Sequence, residues 1–281
     1  MEIKFTKMHG CGNDYIYINC FNLEIKNPNK LSEIMSPRHF SVGADGVVLI
    51  LKSDIADAKM RMFNLDGSEG KMCGNAIRCI GKYLYDNKLV NKTEISIETL
   101  SGIKYLKLNV SNNKVDKVSV DMGYASFEPK NIPLLKDKEM INEDCFINDS
   151  NYKITAVSMG NPHAVIYLDE IENLELEKIG PIFENNKLFP ERVNTEFIKI
   201  VDKNHLEMRV WERGSGETYA CGTGACATVA ASVRNGICGF DETVYVKLVG
   251  GTLEIKCLKD YKIIMTGPAT KVYDGVFEYE D

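Results

Sequence analysis

Residues 215–232 read SGETYACGTGACATVAAS, in which a glycine-rich turn leads into a small, apolar segment. This composition predicts a helix over roughly residues 223–235, which starts just after the pair Cys221-Gly222. The predicted helix is apolar on nearly all sides, which indicates that most of its surface is buried. A mostly antiparallel sheet wrapped around the helix would bury it in this way.

A second copy of this pattern lies around Cys73, 148 residues upstream of Cys221. With the two cysteines superposed, an aromatic residue stands ten positions before each, and glycine follows each. Two more segment pairs fall at the same offset without a gap: GNDYIYI (12–18) on GNPHAVI (160–166), and GVVLI (46–50) on NTEFI (194–198). Three matches at one offset predict two related halves. A coincidence between common strand–turn patterns is the alternative interpretation.

Strand-like segments, several with period-two alternation, occur throughout both halves. The first half contains EIKFTKM, YIYINCF, GVVLIL, AKMRMF, EISIET, IKYLKLNV and VDKVSVDM, and the second contains YKITAVSM, HAVIYL, TEFIKIV, HLEMRVWE, TVYVKLV, TLEIKCL and YKIIMTG. Each half has one long predicted helix, at 75–88 or 223–235, and a shorter one near NKLSEIMSPRH or NLELEKIGPIFE. We interpret the polar stretch around 130–150 as a surface connection. The predicted fold is α+β, with two pseudo-symmetric lobes, each a mostly antiparallel or mixed sheet rolled around a central helix.

Composition narrows the class of protein. A length of 281 residues suggests about two domains. The net charge of −6 argues against a nucleic-acid binder, which needs a basic surface. No apolar run approaches the length of a membrane span, and MEIKFTKMHGCGND lacks the layout of a secretion signal, so we expect a cytoplasmic protein without a membrane partner. The nine cysteines are an odd number, which argues against a disulfide framework.

A cysteine at the start of a helix has particular chemistry. The first helical N–H groups have no intrahelical partner, and the helix dipole places partial positive charge there. We therefore expect the pKa of such a cysteine to fall below its free value, and the same N–H groups to suit a carboxylate. Two such helix starts facing each other could hold one carboxylate with a sulfur on each side of the adjacent carbon. One sulfur would remove the α-proton and the other would return a proton to the opposite face, with no metal and no cofactor.

Several motifs, in this order and spacing, resemble the diaminopimelate epimerase family over essentially the whole chain. The motifs are GNDY (12–15), FNLDGSEGKMCGNAIRC (63–79), MGNPHAV (159–165), PERVNTEF (190–197), WERGSGETYACGTGACA (211–227) and GPATKVYDG (267–275). The resemblance implies an active site in the cleft between the lobes. It also implies a first lobe of residues 1–121 plus 268–281, a second lobe of residues 122–267, and a homodimer.

The resemblance further implies a role for particular residues. Cys73 and Cys221 would form the acid–base pair that interconverts LL- and meso-diaminopimelate for lysine and peptidoglycan precursor synthesis. The backbone N–H groups of Gly74, Asn75, Gly222 and Thr223 would hold the substrate carboxylate. Further substrate contacts would come from the side chains of Asn13, Asn64, Asn161, Asn194, Glu212 and Arg213. His163 and Glu212 would adjust the pKa values of the cysteines. At Gly46 some family members carry a glutamine that contacts substrate, which glycine cannot replace.

The sequence alone is compatible with other functions. A racemase for another amino acid, such as histidine, would keep both cysteines and change the residues at the distal end of the substrate. A cysteine hydrolase would use Cys221 with His163 but would leave Cys73 and the duplication unexplained. A non-catalytic amino-acid-binding protein would bind ligand without exchanging its α-proton with solvent.

Two common site types fit the sequence poorly. The cysteine spacings do not form paired zinc knuckles, and only four histidines occur. GTGACA (222–227) matches a dinucleotide fingerprint in letters, but no buried strand runs directly into it.

Overall fold

The computed structural model describes residues 1–279, which form two compact units. One unit contains residues 1–120 and the segment from Gly267 onward, and the other contains residues 121–266. In chain order the strands and α-helices are β1 Glu2–Gly10, β2 Asn13–Asn19, α1 Pro28–Met35, β3 Gly46–Leu51, β4 Ala58–Asn64, β5 Glu69–Gly70, α2 Gly74–Asp86, β6 Glu94–Thr99, β7 Gly102–Ser111, β8 Lys114–Tyr124, β9 Glu143–Ile147, β10 Ser150–Ser158, β11 Pro162–Tyr167, α3 Leu176–Glu184, β12 Asn194–Asp202, β13 His205–Glu212, β14 Gly216–Glu217, α4 Gly222–Arg234, β15 Thr243–Leu248, β16 Gly251–Cys257, β17 Lys262–Pro268 and β18 Thr270–Glu278. The α+β class is confirmed.

The two halves repeat one another element by element. Strands β1 and β10, helices α1 and α3, and helices α2 and α4 each begin 148 residues apart. In the first half β1–β2, β3–β4 and β6–β7 are antiparallel pairs, and β2–β3 and β4–β6 are parallel. In the second half β10–β11, β12–β13 and β15–β16 are antiparallel, and β11–β12 and β13–β15 are parallel. Even the register repeats, since Tyr15 faces Gly46 and His163 faces Asn194. The predicted internal duplication is therefore present in the fold.

One helix lies at the centre of each unit, as predicted. Helix α4 buries every residue except Thr223 and Arg234, and it packs against β10, β11, β12 and β16. Helix α2 buries its first eight residues and Leu84 against β1, β2 and β7. Small, apolar side chains allow α4 to be covered on nearly all sides. Among residues 1–279, no helix has the length and apolar character needed to cross a membrane.

Both central helices end slightly before the predicted positions. Asn87 caps α2, with its side-chain amide and its backbone N–H both bound to the Tyr83 carbonyl, and Lys88 then takes a positive φ of 59°. Asn235 caps α4 in the same way on the Ala231 carbonyl. An asparagine side chain that binds local backbone ends a helix, because it competes with the next helical hydrogen bond.

The polar stretch around 130–150 is not merely a surface connection. It contains a 3₁₀ turn, Pro129–Asn131, and strand β9, which pairs antiparallel with β10. Strand β18 pairs antiparallel with β1, the counterpart of β10. The two units are thus completed by equivalent strands, one from the middle of the chain and the other from residues 270–278. The polar composition hid β9 because only Ile147 is fully buried in it.

Gly46 leaves no room for a side chain. A Cβ built at this position would lie 2.0 Å from the backbone oxygen of Phe63 and 3.1 Å from the Cα of Asn64. The atoms in the way belong to the backbone, which cannot rotate aside as a long side chain can. Glutamine at position 46 would therefore require strands β3 and β4 to separate locally, so glycine here is a packing requirement of this chain.

Candidate active site

Cys73 and Cys221 are the N-cap residues of the two central helices. Both have extended backbone angles, and the sulfur of each accepts a hydrogen bond from the third N–H of its helix. The distances are 3.5 Å from Ala76 N to Cys73 Sγ and 3.3 Å from Gly224 N to Cys221 Sγ. The thiol occupies the place that a serine or aspartate oxygen usually takes at an N-cap. The helices begin directly after the cysteines, one residue earlier than the sequence predicts.

Cys73 is surrounded by amide groups. Its Sγ donates to Oδ1 of Asn13 at 3.4 Å, and the same oxygen accepts from the Asn75 side chain at 3.2 Å. The other end of the Asn13 amide donates to Asp45 at 2.7 Å, and Arg38 binds the same carboxylate through its second oxygen. Asn13 is therefore held on both sides with its oxygen towards Cys73. The structure thus brings together three of the predicted site residues of the first unit.

The Asn64 side chain contacts a different set of residues. It ends strand β4 and donates to the Ser68 hydroxyl at 3.0 Å, within the turn that precedes β5. Its side chain is half-buried, and Asp66 accepts from the same hydroxyl. The predicted turn at Asp66-Gly67 thus positions Asn64, with Gly67 at a positive φ of 78°.

Cys221 lies in a buried and negatively charged environment. Burial, followed by the charges of Glu212 and Glu196, raises the pKa of Cys221 well above its ordinary value, and hydrogen bonds from Thr223 and Gly224 oppose this only in part. The expectation that a helix start lowers the pKa is therefore wrong for this cysteine. Desolvation and two carboxylates outweigh the helix N-terminus here.

Glu212 contacts both Cys221 and the Thr218 hydroxyl. Burial raises the pKa of Glu212, and these two hydrogen bonds work in the opposite direction. A thiol that donates to this carboxylate is consistent with a protonated Cys221. Glu212 is thus placed beside the sulfur, as its predicted pKa-adjusting role requires.

His163 is fully buried in a chain of hydrogen bonds. Its Nδ1 lies 2.6 Å from Oε1 of Glu196, and its Nε2 lies 3.0 Å from Oδ1 of Asn161. The Asn161 amide donates to the Thr223 hydroxyl at 3.4 Å, and that hydroxyl is 3.5 Å from Cys221 Sγ. The structure therefore connects His163 to Cys221 through two predicted site residues. The sequence prediction missed Glu196.

Asn194 and Arg213 form another connected pair. The Asn194 amide donates to the carbonyl of Pro162 at 2.8 Å, and its oxygen accepts from the backbone N–H of Arg213 at 2.9 Å. The Arg213 guanidinium donates to the Glu191 carbonyl at 2.9 Å. Asn194 therefore joins strand β11 to the loop after β13, and fixes where Arg213 leaves the sheet.

Known proteins resemble this chain over nearly its whole length. The sequence profile described as "Diaminopimelate epimerase" matches residues 5–128 and 155–272. The chain is 54% identical to a diaminopimelate epimerase of Methanococcus maripaludis, over 97% of this chain and 99% of that one. It is 53% identical to the diaminopimelate epimerase of Acetivibrio thermocellus, over 97% and 98% of the two chains.

The chain belongs to the diaminopimelate epimerase family. The resemblance seen in the sequence motifs is confirmed, and the chain is an isomerase of the epimerase type. Among solved structures, a hydroxyproline epimerase from Agrobacterium vitis shares the fold with a TM-score of 0.72 at 13% identity, covering 98% of this chain and 91% of that one. At that identity the likeness concerns the fold alone.

The environment of Cys221 in this epimerase predicts a pH-dependent reactivity. Because the pKa of Cys221 is raised, the thiol form prevails at neutral pH, and alkylation by iodoacetamide should become fast only at alkaline pH. The substitution Glu212→Gln removes the negative charge that raises this pKa most, so the pKa falls and the alkylation curve moves to lower pH. Peptide mass spectrometry resolves this site from the other cysteines. A curve that Glu212→Gln leaves in place, or moves to higher pH, would contradict the assigned cause.

Proposed function

We propose that this epimerase interconverts LL- and meso-2,6-diaminopimelate by proton transfer at one α-carbon, with Cys73 and Cys221 as the two acid–base groups. The supporting observation is that the two cysteines cap equivalent helices of duplicated units, in a chain that belongs to the diaminopimelate epimerase family. The reaction would supply lysine and peptidoglycan precursor synthesis.

The two-base reaction needs one thiolate and one thiol at the start of each turnover. The buried, acidic surroundings of Cys221 favour its thiol form, so we assign Cys73 as the base in a turnover that begins from that state. Cys73 takes the α-proton, and Cys221 gives its own proton to the opposite face of the same carbon. The two cysteines have then exchanged protonation states, and the reverse reaction or proton exchange with solvent restores them.

The helix starts supply the stabilisation that this proton transfer needs. The first i→i−4 bonds of the two helices are those of Ile77 and Ala225, so the preceding amides lie at the positive ends of the helix dipoles. We propose that the N–H groups of residues 74–75 and 222–223 bind the carboxylate beside the reacting carbon. Negative charge that develops there on proton removal is then met by donors already in position.

The distal amino-acid end of the substrate needs separate recognition. We assign this role to Asn64, Asn161, Asn194 and Arg213, with Asn13 and Glu212 completing the substrate contacts. Amide groups can both donate to a carboxylate and accept from an ammonium, which suits a second zwitterionic centre. A histidine racemase would need a different set of groups here, which makes diaminopimelate the favoured substrate.

We also propose that the protein forms a homodimer through β18. Val272, Tyr273 and Val276 are exposed on this strand, and the Tyr273 ring packs edge-on against Phe5. Exposed apolar side chains grouped on one strand are typical of a covered surface. Sedimentation velocity should give about twice the chain mass of 31.5 kDa, and Tyr273→Ala should shift it towards the monomer. A monomer at micromolar concentration would contradict this proposal.

The test of the proposed function is isotope exchange in deuterated water. Purified protein without added cofactor should place deuterium at one α-carbon of diaminopimelate and produce the other epimer. The same assay over a panel of free amino acids, histidine included, separates the proposed function from a racemase of another substrate. Exchange on histidine but not on diaminopimelate would overturn the substrate assignment.

A further inference from the structure

The layer beneath Cys221 contains a buried, hydrogen-bonded pair of side chains that the proposed proton transfer does not use. Glu196 and His163 are both fully buried and lie 2.6 Å apart. Within residues 1–279, the second carboxylate oxygen of Glu196 has no hydrogen-bond partner. Burying a carboxylate is costly, so its retention at this position calls for a role.

Glu196 stands at one end of a continuous line of hydrogen bonds that ends at the reactive sulfur. From Glu196 the line passes to His163 Nδ1, from His163 Nε2 to Asn161 at 3.0 Å, from Asn161 to Thr223 at 3.4 Å, and from Thr223 to Cys221 at 3.5 Å. As the groups are oriented, the Thr223 oxygen accepts from Asn161, so the Thr223 hydroxyl proton is left to point at the sulfur.

The first unit carries different residues at two of the equivalent positions. At the positions 148 residues earlier, Val48 replaces Glu196 and Tyr15 replaces His163. Asn13, the counterpart of Asn161, contacts Cys73 directly at 3.4 Å. The pairing of a glutamate with a histidine at these two positions therefore distinguishes the Cys221 unit from the first unit.

Gly224 is a further sign that the backbone is adapted to this pair. A Cβ at position 224 would lie 2.7 Å from Oε1 of Glu196 and 3.2 Å from Sγ of Cys221. The counterpart of Gly224 in the first unit is Ala76, and valine stands there at the position equivalent to Glu196. Glycine at 224 thus lets the Glu196 carboxylate come close under the first turn of α4.

We propose that Glu196 is a positioning residue for the Cys221 half of the reaction, acting through His163, Asn161 and Thr223. The inference rests on the proposed two-cysteine function. Glu196 binds Nδ1 of His163 and so fixes the ring with Nε2 towards the Asn161 oxygen. Asn161 is then fixed with its amide nitrogen towards Thr223, whose hydroxyl stabilises the Cys221 thiolate after the thiol has given up its proton.

Glu196 affects the Cys221 thiolate in two opposed ways, because its own charge disfavours the thiolate whereas the Thr223 hydroxyl that it positions favours it. The Thr223 hydrogen bond lowers the pKa of Cys221, while burial and the carboxylates raise it. The Thr223 hydroxyl and the Gly224 N–H both favour the thiolate, and of these two groups the hydroxyl is the one at the end of the hydrogen bonds that begin at Glu196. Glu196 therefore matters most at the step that forms or consumes that thiolate.

The test measures each cysteine separately in the full-length protein. In Cys73→Ala, exchange of the substrate α-hydrogen with deuterated water depends on Cys221 alone, and in Cys221→Ala it depends on Cys73 alone. We expect Glu196→Gln to slow exchange about 10- to 100-fold in the Cys73→Ala background, a range typical of removing an orienting partner of a histidine. At saturating substrate, the same change in the Cys221→Ala background should leave the exchange rate unaltered, because a weakened Asn161 contact with the substrate then appears in KM. Both epimers are assayed in each background.

Two controls make the result specific. Glu217→Gln removes another carboxylate of the same unit, one that pairs with Arg209 at 2.8 Å, and it should leave exchange unaltered in both backgrounds. Should Glu196→Gln fail to fold, the double variant Glu196→Val with His163→Tyr gives this layer the residues of the first unit. It leaves no uncompensated buried charge, and the same selective loss is expected.

The outcomes separate the two proposals. Equal slowing in both backgrounds, or no slowing in either, overturns the role of Glu196 while the two-cysteine function stands. If neither single-cysteine parent exchanges the α-hydrogen of either epimer, the proposed function fails, and the role of Glu196 fails with it.

Discussion

Replacing Cys73 or Cys221 with alanine should abolish inversion of diaminopimelate while leaving one-sided exchange in place. The remaining cysteine can still remove and return a proton on its own face of the carbon, but nothing donates to the other face. Loss of one acid–base group costs about 10²–10⁴-fold in rate, and inversion needs both groups in the same turnover. Proton NMR in deuterated water measures exchange, and chiral chromatography measures inversion on the same samples.

Buried cysteines on the same helices provide the matched controls. Cys79 on α2 and Cys226 on α4 are fully buried in the interior of their helices. Cys79→Ala and Cys226→Ala should retain inversion to within a small factor, because these thiols lie one to two turns past the N-cap. Inversion above the uncatalysed rate by the double variant Cys73→Ala, Cys221→Ala would defeat the two-base mechanism.

Replacing Arg78 with leucine should lower the free energy of unfolding by about 3–5 kcal/mol, as lost hydrogen bonds from a buried charged group leave their acceptors unpaired. Arg78 is fully buried and binds Gly74 O at 3.0 Å, Asn75 Oδ1 at 3.0 Å and Pro268 O at 3.2 Å. Such a loss is a large part of the 5–15 kcal/mol that stabilises a typical domain. Urea denaturation followed by circular dichroism measures the change.

Lysine is the informative second substitution at this position. Arg78→Lys keeps the charge but loses the planar set of donors that reaches three acceptors at once, so it should recover only a minor part of the stability. Both variants should also reduce epimerase activity, because Arg78 fixes the first turn of the helix that Cys73 caps. Wild-type stability in Arg78→Leu would show that the buried guanidinium is not needed for this packing.

The sequence alone was sufficient for the features that depend on local pattern. The helices after Cys73 and Cys221 follow from a glycine-rich turn leading into an apolar segment, and the duplication follows from a constant offset. The resemblance then supplied Asn161, His163 and Glu212, which the structure brings together around Cys221.

The features that the sequence did not predict depend on contacts between distant segments. Glu196 sits in a strand whose first five residues are all buried, so period-two alternation gave no hint that its side chain points inward. One signal was available, since the 148-residue offset places it on Val48, within an apolar run. Arg78 was overlooked because its partners include Pro268, 190 residues away. Strand β9 was overlooked because only one of its residues is fully buried.

The pairing of β1 with β18 affects how this protein folds during translation. Glu2 pairs with Glu278, so one edge of β1 stays unpaired until its partner strand is translated some 270 residues later. At 5–20 residues per second, that wait is roughly 15 to 50 s. The equivalent edge of β10 is closed by β9, which is translated immediately before it. The half that emerges second can therefore finish folding first, while the nascent first half carries an open strand edge that is able to pair with neighbouring chains.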